Sequence, residues 1–239
     1  PLALRILDEE LVLFRDGSGR IGLLHRRCSH RNTSLEYGFI QEHGIRCCYH
    51  GWQYDVDGTI LETPGEPARS RIKDKLCHGA YPTREFHGLV FAYMGPPDRM
   101  PVLPRYELLE NLGPEEYLQG DDSGLGTGGN GTAPCNWFQH WENVRDPFHV
   151  VILHDSFSGT QFVQPMGIMP RCDFESFEHG VRSYQYRDLG DGKRLRRITE
   201  TVMPNLRVVA SPVLDPGPCS GIGWTVPVDS THYRLLNVH

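Results

Sequence analysis

Two short cysteine–histidine pairs constrain the fold of this chain more than any other feature. The first is Cys28-Ser29-His30, and the second, after sixteen intervening residues, is Cys47-Cys48-Tyr49-His50. Adjacent cysteines are poor disulfide partners, because a disulfide requires a specific separation and facing side chains. Two thiolates and two imidazoles, held in tight loops between strands, are instead suited to a structural zinc ion or a two-iron cluster. The pattern predicts two loops brought together around metal.

The predicted ligands are Cys28, His30, Cys47 and His50. An alternative register uses Cys48-x-His50 as the second pair, which would match the spacing of the first. The following Gly-Trp pair supports a metal centre, because glycine allows close backbone approach and tryptophan can cover the site. A lone cysteine or histidine in a β domain is more often a core residue, but four in two matched loops favour a metal site.

The composition argues against several classes of protein. The 239 residues include 24 basic and 30 acidic side chains, and the formal net charge of −6 argues against general affinity for nucleic acid or an anionic membrane. No apolar run is long enough to span a bilayer and no signal peptide is visible, although the chain begins at Pro1, which leaves room for a preceding segment. Seven irregularly spaced cysteines indicate reduced thiols, some of them bound to metal, and we expect a cytoplasmic protein.

The hydrophobic pattern predicts mostly β-strands. Apolar runs flank turn signals at residues 16–19, 57–58 and 190–192, which is typical of hairpins. Two further strands are predicted at residues 221–228 and 231–239. We divide the chain into a β domain at residues 1–105, a linker with a Gly-rich loop at residues 106–134, and a second domain at residues 135–239.

A second group of metal-binding residue types lies in "ENVRDPFHVVILH", residues 142–154. It contains Asp146, His149 and His154, and two histidines with one carboxylate are the ligands of non-haem Fe(II) oxygenases. Residues five apart are separated by about 140° on an ideal helix. Both imidazoles therefore reach one metal only if the helix is distorted or ends between them. Asp146 followed by Pro147 is also the pattern of an ordinary helix N-cap. His149 and His154, taken alone, could be ordinary surface or core residues.

The two motifs together resemble a known family. The Cys-x-His and Cys-x-x-His loops, with the flank "CYHGW", resemble the Rieske [2Fe–2S] centre, and "ENVRDPFHVVILH" resembles the mononuclear-iron motif of the Rieske non-haem iron ring-hydroxylating oxygenases. The segments "HRNTSLEYG", "GLVFAYMGPP", "NWFQHWENVRDPFH" and "WTVPVDSTHY" are similar to alpha subunits near the phthalate and phenoxybenzoate oxygenases. The resemblance covers nearly the whole chain.

The resemblance implies specific roles for the site residues. Cys28, His30, Cys47 and His50 would hold a [2Fe–2S] cluster, and His149 and His154 would bind a mononuclear Fe(II). Asp146 would bridge the Rieske histidine of a neighbouring subunit to an iron-bound histidine without being a ligand, and Asn143 would lie near the iron. The expected fold is α+β, with an all-β Rieske domain followed by an incomplete catalytic domain whose antiparallel sheet is flanked by helices.

The implied function is that of a terminal oxygenase component. It would use O2 and electrons from NAD(P)H, delivered by a separate reductase with or without a ferredoxin, to hydroxylate an aromatic substrate by mono- or dioxygenation. The expected assembly is a homotrimer or higher ring, with no nucleic-acid or membrane partner. The alternatives are a Rieske O- or N-demethylase, a Rieske electron-transfer protein without oxygenase activity, and a binding module held together by zinc.

The sequence departs from the family pattern in three places. Cys48 stands where proline is commoner, and Asn32 stands where glycine is usual. The third iron ligand of the family is a carboxylate far downstream, and none of the candidate aspartates fits its motif, namely Asp155, Asp173, Asp215 and Asp229. We therefore expect this sequence to lack the end of its catalytic domain.

Overall fold

Antiparallel strands make up most of the secondary structure in the computed structural model, which describes residues 1–122, 131–157, 159, 161–210 and 222–238. The chain separates into two units, Pro1–Leu103 and Pro104–His239. This separation does not test the predicted linker at residues 106–134, because most of its Gly-rich loop lies outside the described residues. The three-part division with boundaries at residues 105 and 134 therefore stays a prediction.

The first unit contains two four-stranded sheets and a separate hairpin. One sheet has the order β1-β2-β3-β8, the other has the order β4-β5-β6-β7, and β9 pairs with β10. The strands are β1 Leu2–Ile6, β2 Glu9–Arg15, β3 Ile21–His25, β4 Phe39–Ile40, β5 Ile45–Arg46, β6 Gln53–Tyr54, β7 Ile60–Glu62, β8 Ala80–Tyr81, β9 Thr83–Phe86 and β10 Leu89–Ala92. Short helical segments lie at α1 Ile72–Lys75, Leu35–Tyr37 and Pro97–Arg99. The predicted hairpins around residues 16–19 and 57–58 are confirmed as β2–β3 and β6–β7.

A buried aspartate joins the turn of the first hairpin to the second sheet. The carboxylate of Asp16 accepts hydrogen bonds from the hydroxyl of Ser18 and from the backbone N–H groups of Arg20 and Gly44. Burial alone would raise the pKa of Asp16, but these hydrogen bonds lower it to about 2. The contact fixes the β4–β5 hairpin, from which the second cysteine loop continues.

The second unit is built on one seven-stranded antiparallel sheet with the order β11-β17-β16-β15-β14-β13-β12. Its strands are β11 Gly120–Asp121, β12 Arg171–Phe177, β13 Gly180–Gly190, β14 Lys193–Val202, β15 Leu206–Val209, β16 Ile222–Pro227 and β17 Tyr233–Val238. The predicted hairpin around residues 190–192 is confirmed as β13–β14, and the two predicted C-terminal strands are confirmed as β16 and β17. Short 3₁₀ helices lie at Glu107–Leu109 and Gln164–Gly167.

Two helical elements of the second unit carry the second histidine motif. Helix α2, Trp137–Asn143, begins at the N-cap Asn136, whose side chain accepts from the N–H of Phe138. It packs on the sheet through Trp141, which is buried and donates its indole N–H to the carbonyl oxygen of Leu206. A π-helix, Val150–Phe157, follows directly after His149. Strands therefore dominate both units and helices accompany the second sheet, so the predicted α+β class is confirmed.

No helix among the described residues has the length and apolar character needed to cross a bilayer.

Candidate metal centres

The two cysteines of the first predicted centre meet in the core of the first unit. Cys28 and Cys47 are 1% and 3% exposed, and they belong to a buried cluster that includes Trp52 and Tyr54. The two thiols lie within hydrogen-bond reach of each other, and burial raises the pKa of the Cys47 thiol. Thiolates without a compensating cation are costly in such surroundings, so this pair is suited to metal ligation.

The two histidines of the first centre also lie together. The ring centroids of His30 and His50 are 4.6 Å apart, and Trp52 stacks on His30 at 4.8 Å with an interplanar angle of 3°. The Nδ1 atom of His30 is buried and has no hydrogen-bond partner among the described residues. A buried ring nitrogen without a partner fits a metal ligand, because coordination would satisfy it.

Backbone geometry shapes both ligand loops. Asn32 has φ +57°, and its N–H donates to the carbonyl oxygen of Cys28. Asparagine is among the few residues that adopt this left-handed conformation readily, which explains how it replaces the usual glycine. Gly51 has φ +74° and donates its N–H to the carbonyl oxygen of Cys47. The backbone N–H groups of Tyr49 and His50 also interact with the Cys47 sulfur.

A second layer of polar residues surrounds the first centre. The Tyr54 hydroxyl lies 3.0 Å from Cys28 Sγ, and Ser29 Oγ lies 2.6 Å from His78 Nδ1. The other ring nitrogen of His78 lies 2.8 Å from the carbonyl oxygen of His25, and burial lowers the pKa of His78. A carbonyl oxygen can only accept, so the neutral ring of His78 donates from Nε2 and accepts from Ser29 at Nδ1. His78 thereby anchors the Cys28–His30 loop to β3.

The second predicted centre lies where α-helical geometry changes to π-helical geometry. The ring centroids of His149 and His154 are 5.4 Å apart, at an interplanar angle of 69°. In an α-helix these side chains would point in different directions, whereas the i→i+5 hydrogen bonding of a π-helix brings residues five apart to one face. The predicted distortion of the helix is confirmed by the π-helix at Val150–Phe157.

Both rings of the second centre turn Nδ1 towards an oxygen atom. Asp146 Oδ2 lies 3.4 Å from His149 Nδ1, and Gln161 Oε1 lies 2.8 Å from His154 Nδ1. The first contact is too long for a strong hydrogen bond, and His149 Nδ1 is buried without another partner among the described residues. Asn143 Nδ2, a donor, lies 3.5 Å from His149 Nε2. The arrangement leaves the two Nε2 atoms as the candidate ligand atoms.

Asp146 makes the contacts expected of a helix cap as well as contacting His149. Its Oδ1 atom accepts a hydrogen bond of 2.8 Å from the N–H of Phe148, and its Oδ2 atom faces His149. Capping and contact with the histidine thus use different oxygens of one carboxylate. The bridging role of Asp146 between subunits stays a prediction.

A carboxylate that completes the second centre is not found among the described residues. No group of three or more His, Cys, Asp and Glu side chains in that part of the chain could hold one metal ion. Asp229 instead accepts hydrogen bonds from Thr231 in a turn, and Asp215 lies outside the described residues.

The first unit can be assigned by comparison with known families. Residues 1–82 match the family described as the Rieske [2Fe-2S] domain. The first part of this chain is a Rieske domain. Its four candidate cluster ligands, Cys28, His30, Cys47 and His50, all lie within the matched residues, and their assignment as ligands remains a prediction.

The whole chain is similar to oxygenase subunits. It is 48% identical over 238 residues to the phenoxybenzoate dioxygenase subunit alpha of Ectopseudomonas oleovorans. The aligned region covers 98% of this chain and 58% of that protein. It is 40% identical over 249 aligned residues to the oxygenase subunit of tert-butanol monooxygenase / tert-amyl alcohol desaturase from Aquincola tertiaricarbonis. This aligned region covers 97% of this chain and 51% of that protein. This chain therefore spans about half the length of these relatives.

A solved structure shows the same fold over both units. Dicamba monooxygenase bound to dicamba matches all of this chain and 72% of its own length, with a TM-score of 0.74 and 19% identity. Together with the Rieske domain and the sequence relatives, this confirms the predicted relationship to the oxygenase subunits of Rieske oxygenases. The match of residues 1–82 confirms the predicted [2Fe–2S] cluster at the level of the domain family. The mononuclear iron stays a prediction.

Sequence reasoning missed three polar residues around the metal centres. Tyr54, His78 and Gln161 contact candidate ligands or their loop, yet each lies in a segment without a recognisable motif. A histidine between strands in a β domain, such as His78, is a weak signal by itself. Only the folded chain brings these residues to the centres.

Proposed function

We propose that this protein is the terminal oxygenase component of a Rieske system, which hydroxylates an aromatic substrate with O2. The observation that carries the proposal is the pairing of His149, just before the π-helix, with His154 on it, in a chain that also has a Rieske domain. A carrier of electrons alone has no need for a second pair of histidines that face each other. The aromatic substrate class is supported by the name of the relative at 48% identity, a phenoxybenzoate dioxygenase.

The two centres would have complementary roles. A [2Fe–2S] cluster held by Cys28, His30, Cys47 and His50 would supply electrons one at a time. An Fe(II) held by the Nε2 atoms of His149 and His154, with a carboxylate from outside the described residues, would supply O2 activation at its open positions.

The protein side chains would keep both centres in the required form. Trp52 shields His30 from water by stacking on its ring, and Tyr54 directs its hydroxyl at Cys28 Sγ. Asp146 faces the Nδ1 atom of His149, where a carboxylate favours a proton on that nitrogen and leaves Nε2 free. Asn143 lies on the Nε2 side of the same ring.

We further propose that electrons pass between subunits of a homotrimer or higher ring through Asp146. The segment that carries the second centre is unusually apolar on its surface, which supports an interface there: Phe148, Ile152, Leu153 and Phe157 are all exposed. The electrons would come from NAD(P)H through a separate reductase, with or without a ferredoxin. The six described cysteines are free, which supports a cytoplasmic location.

Two alternatives differ from the proposed function in the product released or in the iron bound. A Rieske O- or N-demethylase would use the same centres and release formaldehyde from a methylated substrate. A Rieske electron-transfer protein would bind the cluster but no mononuclear iron.

Iron content and one substitution test the proposal. The protein reconstituted with cluster and iron should contain about three iron atoms per chain, two in the cluster and one at the histidine pair. The variant His149→Ala should lose about one iron and all product formation, while the visible spectrum of the cluster stays unchanged. His179→Ala is the matched control, because His179 is an exposed histidine of the same unit. Two irons in the unaltered protein, or full turnover by His149→Ala, would contradict the proposal.

A further inference from the structure

Gln161 is attached to His154 by two separate hydrogen bonds. The backbone N–H of Gln161 donates to the carbonyl oxygen of His154 at 3.0 Å, and the side-chain Oε1 of Gln161 lies 2.8 Å from Nδ1 of the same histidine. Gln161 therefore holds both the main chain and the ring of His154. The Phe162 ring packs against the same imidazole, with 4.7 Å between the centroids.

The side-chain bond determines which nitrogen of His154 carries the proton. An amide oxygen can only accept, so the hydrogen of a neutral imidazole must be on Nδ1. The lone pair is then on Nε2, on the other edge of the ring. His149 Nδ1 faces Asp146 Oδ2 at 3.4 Å, a distance too long for a strong hydrogen bond. The two histidines therefore differ in their partners, since one faces a carboxylate and the other a neutral amide.

We propose that Gln161 is a positioning residue for the second centre, which fixes the tautomer and the ring orientation of His154. The proposal rests on the proposed function, because it treats His154 as a metal ligand. A hydrogen bond donated by one ring nitrogen of a ligating histidine orients the ring and raises the basicity of the other nitrogen, which binds the metal. Loss of the Gln161 amide lets the ring rotate and lets the proton move to Nε2, where it competes with the metal.

The backbone hydrogen bond of Gln161 does not depend on its side chain, so a substitution tests the side-chain amide alone. In Gln161→Leu the main-chain hydrogen bond to His154 is kept, so residue 161 should stay beside the ring while the side-chain acceptor is lost. Gln161→Glu keeps an oxygen at a similar distance and should restore binding. Gln164→Leu is the matched control, since Gln164 is an exposed glutamine of the same segment.

The measurement is the affinity of the cluster-loaded protein for Co²⁺, after the mononuclear iron has been removed. Metal content after equilibrium dialysis gives the dissociation constant, and the electron paramagnetic resonance signal of high-spin Co²⁺ reports the ligand geometry. We expect Gln161→Leu to bind Co²⁺ about 10- to 100-fold more weakly, and Gln161→Glu and Gln164→Leu to bind within about threefold of the unaltered protein. The absorption spectrum of the cluster should be the same in all four proteins.

The outcomes separate this inference from the proposed function. If Gln161→Leu binds Co²⁺ as tightly as the unaltered protein, or if Gln161→Glu is as weak as Gln161→Leu, the positioning role is wrong. If the unaltered protein binds no Co²⁺, or if His149→Ala does not reduce its binding, the histidine pair is not a metal centre, and the proposed function fails together with this inference.

Discussion

Cys28 and Cys47 lose almost all contact with water, and this loss decides what the two thiols can do. Both sulfurs lie in the apolar core of the first unit beside Trp52 and Tyr54. The Tyr54 hydroxyl lies 3.0 Å from Cys28 Sγ, and the backbone N–H groups of residues 49 and 50 face Cys47 Sγ. These donors offset only part of the cost of burying charge on sulfur, because burial still raises the pKa of the Cys47 thiol, and a bound metal would offset the rest.

The hydrogen bond from Tyr54 should raise the reduction potential of the cluster. Reduction adds an electron to the cluster, so a donor at Cys28 Sγ stabilises the reduced form more than the oxidised form. Tyr54→Phe should lower the potential by about 20–60 mV, which corresponds to the net free energy of one hydrogen bond in a one-electron couple.

A redox titration followed by visible absorption measures this shift. Tyr81→Phe is the matched control, because Tyr81 donates to Glu9 in the same unit without facing the cluster ligands. An unchanged or higher potential in Tyr54→Phe would show that the hydroxyl does not act on the cluster sulfur.

Helical geometry decides whether the second histidine pair can act as one site. Residues 149 and 154 would diverge on an ideal α-helix, and they face each other because the turn after His149 is π-helical. The start of this segment depends on Asp146, whose Oδ1 atom caps it at the N–H of Phe148. The same carboxylate therefore contributes to the stability of the element and to the surroundings of His149.

Two substitutions of Asp146 should separate these contributions. Asn keeps an oxygen that can cap the helix but removes the charge, whereas Ala removes both. Asp146→Asn should keep the urea midpoint of the second unit nearly unchanged, and Asp146→Ala should lose about 1 kcal/mol of unfolding free energy. Both variants should pass electrons slowly to the mononuclear iron, as measured by product formed in a single turnover with a pre-reduced cluster.

The comparison of the two variants decides the role of the charge. If Asp146→Asn turns over at the rate of the unaltered protein while Asp146→Ala does not, Asp146 serves only as the cap.

At the scale of the whole molecule, the chain consists of two units, and the candidate ligands Cys28 and Cys47 lie in the buried core of the first. Trp52 stacks on the candidate ligand His30, whereas His149 and His154 lie on a segment with exposed side chains. Metal binding and folding should therefore be coupled strongly in the first unit and weakly in the second.

Removal of the cluster should destabilise the first unit selectively. Calorimetry of the cluster-free protein should show the transition of the first unit lowered by about 10 °C or more, which for a domain of ~100 residues corresponds to ~2 kcal/mol. The transition of the second unit should stay in place. Removal of the mononuclear iron alone is the control and should leave the first transition unchanged. Equal shifts of both transitions would contradict the separation of the two cores.

Local patterns in the sequence were sufficient for much of the fold and for the candidate ligands. Turn residues at 16–19, 57–58 and 190–192 marked hairpins that the structure contains, because the backbone conformation of a tight turn is set by a few neighbouring residues. The ligand candidates were also readable, because metal-binding side chains are chemically distinctive and their spacing is short.

The buried face of β13–β14 shows what local patterns could not decide. The apolar and aromatic residues Tyr184, Tyr186 and Ile198 would be expected to face the core, yet the fully buried side chains are polar ones on the opposite face: Ser183, Gln185, Arg187, Thr199 and Thr201. Arg187 is accommodated there because Nε donates to the carbonyl oxygen of Ile168 and Nη1 donates to Gln185. Ile168 lies outside the hairpin, between the 3₁₀ helix Gln164–Gly167 and β12, so the burial of Arg187 depends on packing.

The sequence by itself determined the strand-rich class of the fold, the main hairpins and the identity of the residues suited to binding metal. Only the tertiary structure decided which residues surround them, such as Tyr54 beside Cys28, His78 beside Ser29 and Gln161 beside His154. The physical reason is the distance along the chain that separates the interacting residues. Turns and ligand spacings are set by bonded neighbours, whereas second-layer hydrogen bonds form between segments that only folding of the chain brings together.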